Sequence, residues 1–209
     1  MIITYHGNLH LKLQTGDTVI SVNPVSKESG KKTAKYGSDI CLISNNLPIC
    51  SGSEMAALGS KEPFIINSPG EYEKMGISIK GVASTFEEGG NTKINTSYVF
   101  TFDGIKVCVL GILQGKLSGE ARDAISNCDL LILPVLEGEK LSYLAPSTAE
   151  SVAVSLDAKI VIPVGYDEKT LGIFLKESGT KNAVPLEKLT IKKKDVDGKD
   201  GEVIVLSEI

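Results

Sequence analysis

Asp129-Leu130-Leu131-Ile132-Leu133-Pro134, echoed by Lys159-Ile160-Val161-Ile162-Pro163, decides the fold class of this chain. Each is a short apolar run without alternation, bounded by a charge in front and a proline behind. Such a run reads as a β-strand covered on both faces. Between the two lies a helix signal, in which Pro146 is tolerated in the first turn and Ala149, Val152, Ala153 and Leu156 form an apolar stripe. Upstream, Ser118 is placed to cap a helix reaching Ser126, its hydroxyl accepting a first-turn amide, with Glu120 near the positive end. Downstream, a further helix is expected over residues 171–177. Two strands are expected over 189–193 and 203–206, around Asp197-Gly198 and Asp200-Gly201.

The amino-terminal half has a different texture, with short strands punctuated by turns. Residues 1–5 alternate. Residues 19–22 end at Asn23-Pro24, 40–44 at a polar loop, and 64–67 at Ser68-Pro69-Gly70. Residues 77–82 alternate around Ser78 and Lys80, and Gly89-Gly90 reads as a loop tip. The clearest hairpin joins 98–102 to 105–110 through Asp103-Gly104, a pair that supplies the positive φ angles of a tight turn. With strands in both halves, helices must lie outside the sheets. Two sheets face to face with helices on their outer faces is the arrangement that buries every apolar face. No linker or repeat divides residues 1–209, so one domain is expected.

Composition narrows the function classes. The net charge is −4, and 21 of the 22 basic residues are lysine, Arg122 being the single arginine. Nucleic-acid surfaces lean on arginine forks, so no nucleic-acid partner is expected. The short runs Lys31-Lys32 and Lys192-Lys193-Lys194 read as solvated faces. No leader-like segment or bilayer-length apolar run is present, which points to a cytoplasmic protein with no membrane partner. Cys41, Cys50, Cys108 and Cys128 have no metal-knuckle or redox spacing and read as buried thiols. Gly115-Lys116 lacks the earlier glycine of a phosphate loop, since that position is Leu110.

A series of landmarks runs nearly the full chain. These are Ile3-Thr4-Tyr5-His6-Gly7-Asn8, then residues 18–24, then Ser38-Asp39-Ile40-Cys41-Leu42-Ile43-Ser44. Pro69-Gly70-Glu71-Tyr72-Glu73 with Gly76, Asn95-Thr96-Ser97-Tyr98, Leu110-Gly111 and Ile160-Val161-Ile162-Pro163-Val164-Gly165-Tyr166 follow. In their order and spacing these resemble the metallo-β-lactamase superfamily, in its small branch of metal-dependent hydrolases akin to the L-ascorbate-6-phosphate lactonases. The resemblance implies an α/β fold, an αββα four-layer sandwich. It also implies a T-H-x-H-x-D-H loop whose imidazoles and carboxylate hold one or two metal ions that activate water.

Laid on this chain, that loop falls on Asn45, Leu47, Ile49 and Cys50. The other ligand positions fall on Phe86, Ile112 and Gly165, and two earlier family positions on Asn8 and Asn23. Only His6 and His10 exist anywhere, so displaced ligands cannot be recovered by realignment. The expectation is therefore no metal, no cofactor and no catalytic residue of the inherited kind. A remnant pocket is expected, lined by Asn8, Ser44, Asn45, Asn46, Leu47, Ile49, Cys50, Phe86, Ile112, Gln114, Gly165 and Tyr166. Neutral amides beside apolar groups suit a small uncharged ligand or a filled core.

The function expected is that of a pseudoenzyme, a non-catalytic binding or assembly protein in a homo- or hetero-oligomer. The alternative is a hydrolase using metal-free chemistry in the remnant cleft, through Cys50 or the Glu71/Tyr72/Glu73 segment. A purely structural partner protein is a third reading. His6 and His10 are expected as surface or hydrogen-bonded side chains, with His10 sharing a polar face with Lys12. Pro69-Gly70 is expected as a type II turn with solvated acids after it. Asn95 and Tyr98 are expected to hold a loop to a sheet edge.

Overall fold

The computed structural model describes residues 1–114, 117–136, 143–180 and 183–209. The Gly115-Lys116 step and the side chain of Glu120 lie outside the described residues. The chain opens with β1 (Ile2–Tyr5), β2 (Leu11–Thr15), β3 (Thr18–Val22), β4 (Ile40–Leu42) and β5 (Phe64–Ile66). An antiparallel meander follows, made of β6 (Gly70–Lys74), β7 (Ile77–Glu88), β8 (Asn91–Phe102) and β9 (Ile105–Val109). Then come α1 (Gly119–Ile125), β10 (Leu130–Pro134), α2 (Pro146–Ser155), β11 (Ile160–Val164) and α3 (Glu168–Glu177). β12 (Leu189–Thr190) and β13 (Glu202–Val203) close the chain.

One sheet has the order β12-β1-β2-β3-β4-β5 and the other β13-β11-β10-β9-β8-β7-β6. Both are mixed, and β9, β10, β11 and β13 run parallel. The inner faces bury Leu11, Leu13, Ile20, Ile40 and Leu42 against Ile79, Tyr98, Phe100, Val107, Ile132 and Ile162. A second cluster joins the outer face of the β9–β11 region to the helices, through Cys108, Leu131, Leu133, Ala149, Val152, Val161 and Phe174. Every residue of β10 and β11 is buried, because β10 and β11 are covered on both faces. This is the αββα sandwich of the metallo-β-lactamase type. Over the first sheet the outer layer is thin, consisting of 3₁₀ turns at Lys27–Ser29 and Ser53–Met55 with loops, and Ala56 packs on Cys41 and Ile43.

Several local expectations hold. The Ser118 hydroxyl accepts the Ala121 amide at the start of α1, and Pro146 sits in the first turn of α2. Others shift. α3 begins at Glu168, ahead of the expected start, because Asp167 and Thr170 form a reciprocal capping box. β7 and β8 extend to a tip at Gly89-Gly90, well beyond the alternating residues 77–82. In the tail, the expected strand over 189–193 is confined to Leu189–Thr190, and its last residue, Lys193, starts a 3₁₀ turn reaching Asp195. Gly70 is the first residue of β6, with φ 149°, rather than the end of a separate turn.

Asp129 fastens the start of β10. Its carboxylate, 6% exposed, accepts the Lys106 amide and the ammonium groups of Lys159 and Lys193. Burial works to raise its pKa, but these hydrogen bonds outweigh it and hold the carboxyl down to about 2, from 3.8. A folded-state value below the unfolded one means the stabilisation is present above the unfolded value and is lost as pH falls from 3.8 towards 2. Asp129→Asn is therefore expected to cost on the order of 1–2 kcal/mol at neutral pH, the exposure of both lysines limiting the figure. Urea midpoints measured across that pH window check it, since the gap between variant and native protein closes as the acid is protonated.

Candidate functional site

The carboxyl ends of β9 and β11 and the loops after β1 and β4 meet at one end of the sandwich. Two polar ties fix them. Ser44, after β4, donates its amide to Asn23 Oδ1 (2.8 Å), and its carbonyl accepts the Thr96 amide (2.7 Å). Asn95 donates to the Leu110 carbonyl (2.9 Å) and Ser84 Oγ (3.0 Å), and accepts the Ile112 amide (2.8 Å). Gly111, at φ +69°, lies where these two side chains converge. On the other side, Tyr5 donates its hydroxyl to the Asn8 carbonyl (2.8 Å) and accepts the Gly165 amide (3.1 Å). Asn95 thus holds a loop as expected. The Tyr98 hydroxyl bridges both sheets, donating to the Ile43 carbonyl at 2.7 Å with the Ile66 carbonyl 3.0 Å away.

Between these ties the expected ligand positions form apolar core. Leu47, Cys50, Phe86 and Ile112 are all buried and belong to one cluster with Leu9 and Tyr143, against which Ile49 and Tyr166 pack. Gly165 offers no side chain, and Tyr143 fills the space: a Cβ there would lie 2.6 Å from its ring. Around this plug, Asn46 is exposed. Gln114 pairs with the backbone of Glu87, and Tyr166 donates to the Leu206 carbonyl.

This donor set does not fit a divalent cation. The amide oxygens of Asn45, Asn23 and Asn8 already accept, from the Leu47 amide, the Ser44 amide and Lys31 Nζ respectively. Lys31 thus brings a positive charge to within 2.7 Å of the Asn8 amide oxygen. Beside Asn23 and Cys50, Ser44 Oγ and Asn45 Nδ2 are buried without a well-formed hydrogen bond, the latter facing the Cys50 thiol. A hydroxyl and an amide N–H supply no negative charge for a metal. Among the described residues no group of three or more His, Cys, Asp or Glu could hold a metal ion.

Cys50 is not poised as a nucleophile. Burial pushes its thiol up to about 12, with the Asn45 side chain pulling it only slightly back. All four cysteines are fully buried. Iodoacetamide at neutral pH is expected to leave the native protein unlabelled and to modify all four after unfolding. Intact mass reads the difference, and selective labelling of Cys50 would contradict it. The Glu71/Tyr72/Glu73 segment lies apart, on the edge strand β6. Glu71 and Glu73 face outward over a groove of about 510 Å³ with Ser78, Lys80, Val99, Thr101 and Lys106. Tyr72 turns back to Ser68.

The two histidines cluster with Tyr36 on the outer face of the first sheet, their ring centroids 4.8 Å apart and tilted, with His10 stacked on the Tyr36 ring. His10 is buried rather than at the surface. It bonds Tyr36 through Nε2 (2.8 Å) and shares its face with Lys12, whose ammonium lies over the Tyr36 ring. Burial pushes His10 down to about 3, helped by neighbouring His6. Burial and nearby Lys12 also lower His6. His10 is thus a neutral, buried imidazole. Sequence reading missed Tyr143 as the plug over Gly165 and Lys31 as the partner of Asn8. Neither pairing has a local signal, since each joins segments distant along the chain.

A sequence profile described as "Beta-lactamase superfamily domain" matches residues 2–165. No curated protein matches the chain. Among solved structures, the chain is similar to a metallo-beta-lactamase superfamily protein from Thermotoga maritima, described as a candidate Zn-dependent hydrolase. Identity is 26% and the TM-score 0.76, covering 98% of this chain and 97% of that one. A protein from Parabacteroides distasonis, described as a candidate metal-dependent hydrolase, shares the fold at 17% identity and TM-score 0.69, covering 99% and 92%. Igni18, a metallo hydrolase from Ignicoccus hospitalis, does so at 13% and 0.63, covering 99% and 95%.

Proposed function

The chain belongs to the metallo-beta-lactamase superfamily, and from that premise we propose that it is a non-catalytic member working as a binding or assembly protein. One observation carries the reading: Leu47, Cys50, Phe86 and Ile112 are buried in a single packed cluster, and these are residues on which the resemblance lays the imidazole and carboxylate ligands of the family's metal chemistry. Its structural neighbours are described as hydrolases, and this chain departs from that description at those positions. Metal-bound water is the nucleophile of such hydrolysis, and without ligands the fold retains a scaffold and a rim.

The rim is polar, with Asn8, Asn46, Gln114 and Tyr166 around the apolar plug and the opposite charges of Lys31 and Glu208 beside it. It suits a small uncharged ligand or the face of another subunit, in a homo- or hetero-oligomer. The scarcity of arginine speaks against nucleic acid. No helix among the described residues is long and apolar enough to cross a membrane. Four free, buried thiols agree with a reducing compartment, and we place the protein in the cytoplasm. The test is hydrolysis of a panel of lactones and phosphoesters with zinc, manganese or iron added. Rates equal to those of metal and buffer alone are expected. Turnover that a chelator abolishes would overturn the proposal.

A further inference from the structure

At the opposite end of the second sheet from Gly111 and Gly165, a cleft of about 300 Å³ opens between α2, α3 and the turn before β13. Its apolar lining is Ala153, Val154, Ala158, Val161, Phe174 and Val203, and its rim carries Glu150, Asp157 and Asp200. Val154 is 71% exposed although it sits on the helix that covers the sheet. A ledge of this kind, apolar below and acidic above, invites a ligand with the matching halves.

Three features give the cleft one sign of charge. The rim supplies three carboxylates, and among the described residues none of them is in an ion pair and no lysine or arginine lines the cleft. Of the two lysines nearest the rim in sequence, Lys199 pairs with Glu202 and Lys159 with Asp129, Lys159 also feeling the charge of Asp157 without pairing with it. The lining also comes from the carboxyl-terminal halves of two ten-residue helices, Ala153 and Val154 in α2, and Phe174 with the cap Ser178 in α3. Both helices therefore turn the negative ends of their dipoles towards the cleft, where a cation is favoured. An apolar floor adds affinity for hydrocarbon through removal of surface from water. The volume is that of a small-molecule site rather than a protein groove.

We propose that this cleft binds an amphiphilic organic cation, an ammonium or amidinium group carried on a short hydrocarbon body. The head sits among Glu150, Asp157 and Asp200 near the two helix ends, and the body covers Val154, Val161 and Val203. The site is independent of the metal-site remnant and stands whether or not the chain is catalytic.

The experiment is an amide NMR titration of the full chain with hexylammonium, compared with hexanoate and with plain ammonium ion. Hexylammonium is expected to cause saturable shifts at Ala153, Val154 and Ala158, weakening as salt is added. Hexanoate, with the same chain and opposite charge, is expected to leave them in place, and ammonium alone to bind more weakly than hexylammonium. Asp157→Asn and Asp200→Asn are each expected to weaken binding by roughly two- to five-fold. Asp157 has φ 50°, a conformation that asparagine also tolerates, so the first change leaves the backbone intact. Equal binding of hexanoate, absence of saturation, or affinity unchanged in both variants would overturn the proposal.

Discussion

Ile112→Asp, which restores the acid that the family's metal site would carry here, is expected to unfold the protein rather than to recruit a metal. Ile112 is fully exposed to other side chains and not at all to water, packed in the cluster of Leu47, Cys50 and Phe86. The change removes buried hydrocarbon and places a carboxylate among apolar neighbours, with no described ligand to share a cation with it. Large-to-small loss alone costs about 2–5 kcal/mol in a core, and an unpaired buried charge adds several more or forces protonation. The sum rivals the whole stability of an ordinary domain, about 5–15 kcal/mol. Urea denaturation followed by circular dichroism reads it, with Ile112→Val as the control at about 1 kcal/mol. An Ile112→Asp protein that folded with native stability, or that gained stability from zinc, would contradict the packed-core account.

Gly111→Ala is the second large effect. An added Cβ would lie 2.3 Å from Asn95 Oδ1 and 2.6 Å from both Ser44 Cβ and Oγ, at φ +69°. Neither neighbour can yield freely, because Asn95 is tied to Leu110 and Ile112 and Ser44 to Asn23 and Thr96. Left-handed strain of about 1 kcal/mol and overpacking of about 1–3 kcal/mol act together. Gly76→Ala separates the two, since Gly76 has φ +74° with nothing within 4 Å of an added Cβ. The expected order of urea midpoints is native, then Gly76→Ala, then Gly111→Ala well below both. Equal losses in the two variants would mean that crowding at Gly111 is absent.

What the sequence made legible follows from how local each signal is. The unalternating runs at Leu131 and Val161 announced strands buried on both faces, and Pro146 and Ser118 announced helix starts, because each signal lies within a few residues of what it specifies. The far halves of β7 and β8 were hidden. Thr85, Glu87 and Asn91 project from a hairpin of two twelve-residue strands that faces water on much of its far half, so no apolar alternation marks it. The capping box of Asp167 and Thr170 sets the start of α3 three residues ahead of the apolar positions that mark the helix.

The candidate site divides in the same way. The scarcity of imidazole was plain from composition, since a chain with His6 and His10 alone cannot furnish an imidazole cluster elsewhere. The packing around Leu47 and Ile112 could not be read, because Tyr143, Leu9 and Phe86 reach it from separate strands and loops. His10 shows the limit from the other side. Its place opposite Leu9 and Leu11 correctly set it on the face of Lys12, but Tyr36, from a distant loop, covers it.

The central claim is that the metal centre of this superfamily has been replaced here by packed side chains. Elemental mass spectrometry on protein purified without chelator or affinity tag tests it most directly. The account predicts zinc, iron and manganese far below one equivalent per chain, with no rise in Tm when any of them is added. A full equivalent of any one metal, retained through gel filtration and raising Tm, would contradict it.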